Sequence, residues 1–539
     1  MISDKVGTLT GAEEHKSVRV SLSASRLSQI IFTAAICSIL IAAAWLRWSR
    51  LTSQSLWADE GLTTWFSQFS PAVQWHLLAW NDGSPLYYVA IHYWVSIWGN
   101  SVIAFRSLSA LFSTLSLITF YFIARRIWED RFFVALSLMI ASFSFFQIWY
   151  AQESRSYALL DLLLLIAIHR MLLCLNEPTK YRLISLAVVL ALALYTHNMA
   201  MFYVPGFVAF WFLYPSQMTL GVRIKKAAVV GALVLLLFAP WLPTLAKQMA
   251  FVMGHFWAPK PHAADLLSTL FTFCGLDPYV LQDLRHHLPI SHFSGIRTLI
   301  SLFLLAFGLC LAGAWWGSRP IDRRKSIALQ LWTLLPIALV FLWSQIARSV
   351  YVDRNLIGAC ALMPMMLCAP IAVQSGLKRR VFQVITIALL IGVVISLSKQ
   401  RRQRDDWRGV TAYLVTLPEQ QRLVEVFQPY CQILVNYYAT GQFKSYAKPE
   451  IAGLITDFHQ PPSGPGFLPN LQTADPEAIL SQAINEGKYK EIDVALQLER
   501  LPPKVQAIPL FFSAHCSSVQ TVTFGYGNLG VTRCLGPHE

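Results

Sequence analysis

Apolar runs of about 18 residues or more recur along this 539-residue chain, each closed by a short polar turn. The pattern predicts a first membrane span from about Ser28 to Leu46 and a second from about Ile103 to Ala124. Further spans run over Phe132–Trp149 and Leu159–Leu175. The chain then rises to Tyr195-Thr196-His197-Asn198, descends to Arg223, and climbs from Ala227 to a break at Pro240-Trp241-Leu242-Pro243. A descent from Leu299, an ascent from Leu329, a descent to Lys378 and a last ascent over Phe382–Leu397 bring the count to about eleven.

The turns alternate in character. Arg125, Arg126 and Arg131, then Lys180 and Arg182, then Arg223, Lys225 and Lys226, then Arg319, Arg323, Arg324 and Lys325, then Lys378, Arg379 and Arg380 close every second run. Basic turns stay on the cytoplasmic side, which sets the N-terminus inside. Residues 1–27, with Lys16, Arg19 and Arg26, read as a cytoplasmic and mostly disordered lead. The first apolar run is too long for a signal-peptide core and reads as an uncleaved span.

Outside, the first loop (about 49–102) carries the short aromatic segment Pro85–Gly99, read as lying in the interface. A long second loop, about Thr244–Gly295, holds HFWAPKPH and a second interfacial helix. Residues 28–404 thus form the membrane part and 405–539 an extracytoplasmic tail. In the tail, Arg422–Phe427 and Ile492–Leu496 read as strands, and Trp407–Val415 and Pro476–Glu486 as helices, the latter behind Asp475 as N-cap. A small α/β domain fits, with Pro/Gly-rich connections such as PPSGPGFLP. Cys516 and Cys534 flank the hairpin-like VQTVTFGYGNLGVTR and are placed to bond in an oxidising compartment.

Composition agrees with a polytopic membrane protein: 55% of residues are hydrophobic, 13% are charged, and the mean hydropathy is +0.48. The net charge of +14 follows from the cytoplasmic turns and calls for no nucleic acid. The nine cysteines show no metal-binding spacing; Cys37, Cys174, Cys310, Cys360 and Cys368 sit in spans as small apolar residues. The cluster Lys399, Arg401, Arg402, Arg404 and Arg408 breaks the charge rule by lying outside. Either late spans tolerate the violation, or the cluster gathers anionic lipid.

The unusual polar groups otherwise share the outer side: Asp59-Glu60, Gln152-Glu153-Ser154-Arg155, His197, Lys260 and Asp353-Arg354. Asp59 and Glu60 have no Lys or Arg between Arg50 and Arg106 to neutralise them in sequence, and adjacent acids among aromatics at a membrane surface are costly without a task.

The ordered blocks DEGLTTW, SPLYYVAIHYWVSIWGNSVIAFRSLSALF, YAQESRSYALL, LALYTHNMA and YVDRNLIGACALMP resemble the bacterial GT-C glycosyltransferases. More narrowly they are similar to the dolichyl-phosphate-mannose–protein mannosyltransferase-like group, glycosyltransferase family 39-type, over about residues 28–410. One departure is Gly83-Ser84-Pro85, where relatives typically read His-Pro-Pro. The resemblance implies transfer of a sugar from a polyprenyl-phosphate-linked donor to an envelope acceptor (protein, lipid or glycan) at the outer face, with inversion. It gives the first-loop Asp, here Asp59, the role of base or acceptor-positioning group, with Glu60 beside it as a second catalytic candidate. The location implied is the inner membrane, with the tail periplasmic.

The residues fit that chemistry. An attacking hydroxyl needs a base near the anomeric carbon, and the leaving lipid phosphate needs a fixed cation at the same depth. Arg354, Arg155 and Lys260 are the candidates for the donor phosphate, Arg354 first because a guanidinium fork matches phosphate oxygens. Glu153, Gln152, His197 and Tyr87 are acceptor-side or supporting candidates, with Glu153 read by preference as an ion-pair partner of Arg155. Trp57, Trp65, Trp75, Tyr87 and Tyr88 offer stacking faces, though interfacial belts account for most such aromatics. No cofactor is demanded, and a divalent metal is left open. No Gly-rich phosphate loop is present, which favours a lipid-linked donor over a nucleotide sugar. Two other classes remain: a flippase of lipid-linked sugars, which would place polar residues mid-bilayer on broken helices, and a non-catalytic envelope assembly protein.

Overall fold

The computed structural model describes residues 6–79, 83–277, 293–316, 318–399, 403–417, 422–427, 431–441, 450–452, 476–485, 487, 489–497, 507–525 and 529–538. Helix α1 (Val6–Trp48) is continuous, and its part Arg26–Trp48 is apolar enough to cross a bilayer. The disordered lead expected for residues 1–27 is therefore helical from Val6. No proline interrupts it, and a helix nucleated by the apolar stretch propagates at little cost.

The first outer loop folds as three short helices, α2 (Ala58–Phe66), α3 (Pro71–Leu78) and α4 (Pro85–Trp98). Pro71 and Pro85 open α3 and α4, where a missing N–H leaves nothing unpaired. Then follow α5 (Val102–Ile127), α6 (Arg131–Phe143), α7 (Phe145–Ala151), α8 (Tyr157–Asn176), α9 (Lys180–Thr196), α10 (Val204–Leu213), α11 (Leu220–Phe238), α12 (Leu242–His255), α13 (Ala263–Phe273), α14 (Phe293–Gly313), α15 (Pro320–Ile346), α16 (Ile357–Val373) and α17 (Gly376–Ser398).

Among the described residues, seven helices are long and apolar enough to cross a membrane, or eight if α6 and α7, bent by 55°, make one span. The remaining expected spans are present as the helices α9, α10 and α14. The sequence also placed a stop at Pro240–Pro243. Instead Ala239–Trp241 form one 3₁₀ turn and the helix resumes, so that Leu220–Ala250 counts as a single 31-residue span. Both prolines fall in the opening turn of a new segment, where their missing N–H does no harm. Helix α16 is the bundle's axis, buried almost throughout and packed on α6, α8, α14, α15 and α17. Large apolar side chains such as Leu27, Trp45, Leu236, Ile346 and Val384 face outward, as lipid contact requires.

A charged group lies inside the bundle. Arg47 donates to Ser113 Oγ (2.9 Å), Ala43 O (3.0 Å) and Ser142 O (3.1 Å), and with Asp161 and Gln147 lines a cavity of about 20 Å³. The expectation that polar clusters sit only at the aqueous boundary is amended accordingly. Arg47 lies one residue from the end of α1 and Asp161 in the second turn of α8, so the cluster is just beneath the loops.

The tail holds α18 (Trp407–Thr416), β1 (Arg422–Phe427), α19 (Gln432–Thr440), β2 (Glu450–Ala452), α20 (Pro476–Asn485), β3 (Glu491–Gln497), α21 (Ile508–His515), β4 (Cys516–Phe524) and β5 (Leu529–Pro537). The sheet order is β2-β1-β3-β5-β4, parallel where β1 pairs with β2 and β3, antiparallel at β3–β5 and β4–β5. The expected strands, helices and Cys516–Cys534 disulfide are present, while Asp475 and PPSGPGFLP lie outside the described residues. Trp407, Val410, Leu414, Val424, Leu434 and Tyr437 belong to the same hydrophobic core as the membrane helices, so packing continues across residue 405. Helix α19 lies against α2 so closely that a Cβ on Gly61 would meet Leu434 Cδ2 at 2.7 Å.

Burial in β1 pushes the Glu425 carboxyl up to about 8 from an ordinary value of 4.5. The folded protein then binds more protons than the unfolded chain between those values, so this group makes stability fall as pH rises through that window. Glu425→Gln removes the slope. In detergent, the variant's gain in melting temperature over wild type is small at pH 5 and grows towards pH 8.5; a flat difference would show that Glu425 is already charged when folded.

Candidate active site

Trp57, with an extended backbone (φ −108°), is the N-cap of helix α2, and acids in the first turn face the positive end of the helix. Successive residues on a helix point about 100° apart, so Asp59 and Glu60 diverge. Glu60 turns into the core and is fully buried. Arg106 Nε donates to its Oε1 (2.8 Å) and Arg106 Nη2 to its Oε2 (2.6 Å). The Ser154 N–H adds a bond to Oε1 (2.9 Å) and Arg404 Nη1 one to Oε2 (3.2 Å). Burial alone would raise the Glu60 pKa, yet the two guanidiniums and these hydrogen bonds hold it below the ordinary carboxylate range.

Arg106 is equally engaged. Its remaining donors reach the carbonyls of Leu51 (2.7 Å), Gln54 (2.9 Å) and Ser55 (2.8 Å), which uses every N–H of the guanidinium. Arg404 continues to Gln152 O (2.8 Å), Trp149 O (3.3 Å) and Glu153 Oε2 (3.3 Å), with its guanidinium over the Trp149 ring. The ion-pair partner of Glu153 is thus Arg404 and not Arg155. Glu153 is buried, its Oε1 has no hydrogen-bond partner among the described residues, and burial lifts its pKa despite Arg404.

Asp59 remains accessible, its side chain 27% exposed. Its Oδ2 lies 3.4 Å from Arg354 Nη2 and 4.0 Å from Arg155 Nη2. Arg155 also donates to Thr63 Oγ1 (3.0 Å) and Tyr88 Oη (3.4 Å). The Arg354 guanidinium sits among the rings of Trp57, Tyr157 and Trp257, 5.3 to 5.9 Å from their centroids. Asp59, Arg155 and Arg354, read from three distant stretches of sequence, therefore share one aromatic-walled recess.

The other candidates divide. His197 closes α9 and its ring lies 5.6 Å from Tyr157; Nδ1 accepts the Met199 N–H (3.2 Å). Burial, with Arg155 and Arg354 nearby, pushes its pKa down to about 3, so it stands neutral beside the recess and offers no charge to a phosphate. Lys260 is exposed on the neighbouring segment and reaches Gln345 O at 3.4 Å, with no contact to Asp59. Tyr87 is buried, its hydroxyl 2.7 Å from Ser109 Oγ, and the Gln152 amide donates to Leu46 O (2.8 Å); both support the fold around the recess. The departing Gly83-Ser84 is pinned: Gln248 Nε2 donates to Gly83 O (2.7 Å) and Ser84 Oγ to Asn198 Oδ1 (2.9 Å). Among the described residues no three His, Cys, Asp or Glu side chains gather as a metal site would need.

Arg106 and Arg404 were missed from sequence. Arg106 ends the cation-free gap and opens a span, where a lone charge ought to have a buried partner. Arg404 was hidden inside a cluster read by its sidedness; Arg401 and Arg402 of that cluster lie outside the described residues.

Residues 82–243 match the model of the dolichyl-phosphate-mannose-protein mannosyltransferase family. No curated protein matches the chain. Among solved structures, ArnT from Cupriavidus metallidurans in the apo state is similar with a TM-score of 0.55 at 12% identity, over 94% of this chain and 98% of that one. ArnT bound to undecaprenyl phosphate superposes at 0.43 and 12% identity over 93% and 97% of the two chains. The arabinofuranosyltransferase AftD from Mycobacteria does so at 0.46 and 13% identity, over 95% of this chain and 42% of that one. The apo ArnT match shows a shared fold, the GT-C type that the sequence blocks resemble. The matched residues 82–243 include Tyr87, Gln152, Glu153, Arg155 and His197, and leave out Asp59 and Arg354.

Arg404→Ala removes one of the two guanidiniums on Glu60 and the only charge partner of Glu153 among the described residues. Breaking a buried pair from one side costs about 3–5 kcal/mol, expected here as a loss of unfolding free energy in detergent. A loss under about 1 kcal/mol, the size of an exposed pair, would show that the cluster is solvated.

Proposed function

We propose that the chain is a membrane glycosyltransferase that moves a sugar from a polyprenyl-phosphate-linked donor to an envelope acceptor, with inversion, in the recess of Asp59. One observation carries the reading: of two adjacent acids, one is sealed in an ion cluster while the other stays accessible 3.4 Å from an arginine among aromatic rings. The matched family's description supports the donor class, and the fold shared with apo ArnT supports the architecture.

In this reading the acceptor hydroxyl lies against Asp59 and gives it a proton as its oxygen attacks the anomeric carbon. The bond from that carbon to the phosphate oxygen breaks on the opposite face, so a single in-line step inverts the centre. The pair of electrons leaves with the lipid phosphate, whose added charge falls on Arg354 with Arg155 beside it. Trp57, Tyr157 and Trp257 restrict water and keep those charges effective. Glu60 cannot act as the base, because both its oxygens are already taken; its role is to hold α2 so that Asp59 points outward. By the distribution of basic turns the recess opens on the extracytoplasmic side.

The test uses the purified full chain with labelled polyprenyl-phosphate sugars and an envelope extract as acceptor. Asp59→Asn should lower transfer by about 10²-fold or more with an unchanged melting temperature. Arg354→Ala should weaken donor use, with partial recovery in Arg354→Lys. Wild-type transfer by Asp59→Asn would remove the proposed base.

A further inference from the structure

A second cavity, of about 560 Å³, lies at the far end of the helices that build the recess. Helix α5 carries Arg106 near one end and Arg126 near the other, twenty residues apart. At 1.5 Å per residue this is about 30 Å, the thickness of a bilayer's hydrocarbon core. Helix α8 likewise runs from Tyr157 at the recess to its last turn at the cavity, and α15 begins there.

Three cations from two helices line this cavity: Arg126, Arg324 and Lys325. Arg126 makes no hydrogen bond or ion pair among the described residues. Arg324 gives one N–H to Leu213 O (3.0 Å) and Lys325 one to Ile127 O (2.8 Å), so most of their donors remain for a ligand. No carboxylate lies within 4.0 Å of any of them among the described residues. The acids nearby are engaged or exposed: Asp322 accepts from Arg319 and from Trp128 (3.1 Å), Glu177 pairs with Arg182 (2.8 Å), and Glu129 faces solvent. The Ser216 hydroxyl at the wall is engaged, donating to Leu175 O (2.6 Å), while Leu172 and exposed Ile321 make part of the wall apolar.

Three cations without a carboxylate within 4.0 Å among the described residues, at a helix-bundle end and in a cavity of ligand size with an apolar side, suit an anionic head group that enters with its acyl chains along the helices. We propose that this cavity binds the phosphate head group of an anionic phospholipid from the leaflet opposite the recess. The apolar wall favours a lipid phosphate ester over free phosphate.

The experiment titrates the detergent-purified full chain with phosphatidylglycerol, phosphatidylcholine or inorganic phosphate, reading bound lipid by native mass spectrometry. Phosphatidylglycerol should bind more tightly than phosphatidylcholine. The double variant Arg126→Gln with Arg324→Gln should lose roughly thirtyfold in that binding, and Arg125→Gln, outside the cavity lining, should lose none. If the double variant is not monodisperse, Arg126→Gln alone carries the test, at roughly fivefold. Equal binding of the two lipids, an unaffected variant, or displacement of phosphatidylglycerol by millimolar inorganic phosphate would overturn the assignment.

Discussion

The buried carboxylate of Glu60, clasped by Arg106 from α5 and Arg404 from the start of the tail, is the constraint on which the rest depends. Taking such charges out of water is expensive, and their attraction offsets that only when geometry is good and the remaining donors and acceptors are matched. Here they are: Arg106 spends every N–H, and Glu60 receives from both guanidiniums and from the Ser154 amide. Three segments far apart in sequence are thereby fixed to α2. With Glu60 locked inward, helical geometry leaves Asp59 no choice but the recess.

The tail takes part in that lock. Arg404 precedes α18 and enters between Glu60 and Glu153, while Tyr438 Oη accepts the Leu56 N–H (2.7 Å) and Leu434 rests on Gly61. Helix α2 is therefore sandwiched between the membrane bundle and α19, and a C-terminal module that looks separate in sequence contributes to the placement of Asp59. The same bundle joins the two ends, since α5 and α8 each run from the recess side to the basic cavity, where α15 begins.

Much of this was legible in the sequence, for physical reasons. Long apolar runs and basic turns report a bilayer directly, and β-rich runs such as Arg422–Phe427 report strands without tertiary help. Asp59, Arg155 and Arg354 could be gathered because each is a charge at a membrane boundary, which is costly unless used. What stayed hidden needs three dimensions. A hydropathy profile cannot tell that Glu60 faces inward while Asp59 faces out, nor that Arg404, one of five cations in ten residues, is buried. Lys260 had the right charge and side, but the path of its segment carries it past the recess. His197 had the right place, but burial, with two neighbouring guanidiniums, keeps it neutral.

The most direct test of the central claim is a cryo-electron-microscopy structure of the full chain with a polyprenyl phosphate bound. The account predicts the phosphate on Arg354 within reach of Arg155, Asp59 facing the position of the transferred sugar, and Glu60 still held by Arg106 and Arg404. A phosphate seated away from Arg354, or a Glu60 released from its arginines and turned towards the ligand, would contradict it.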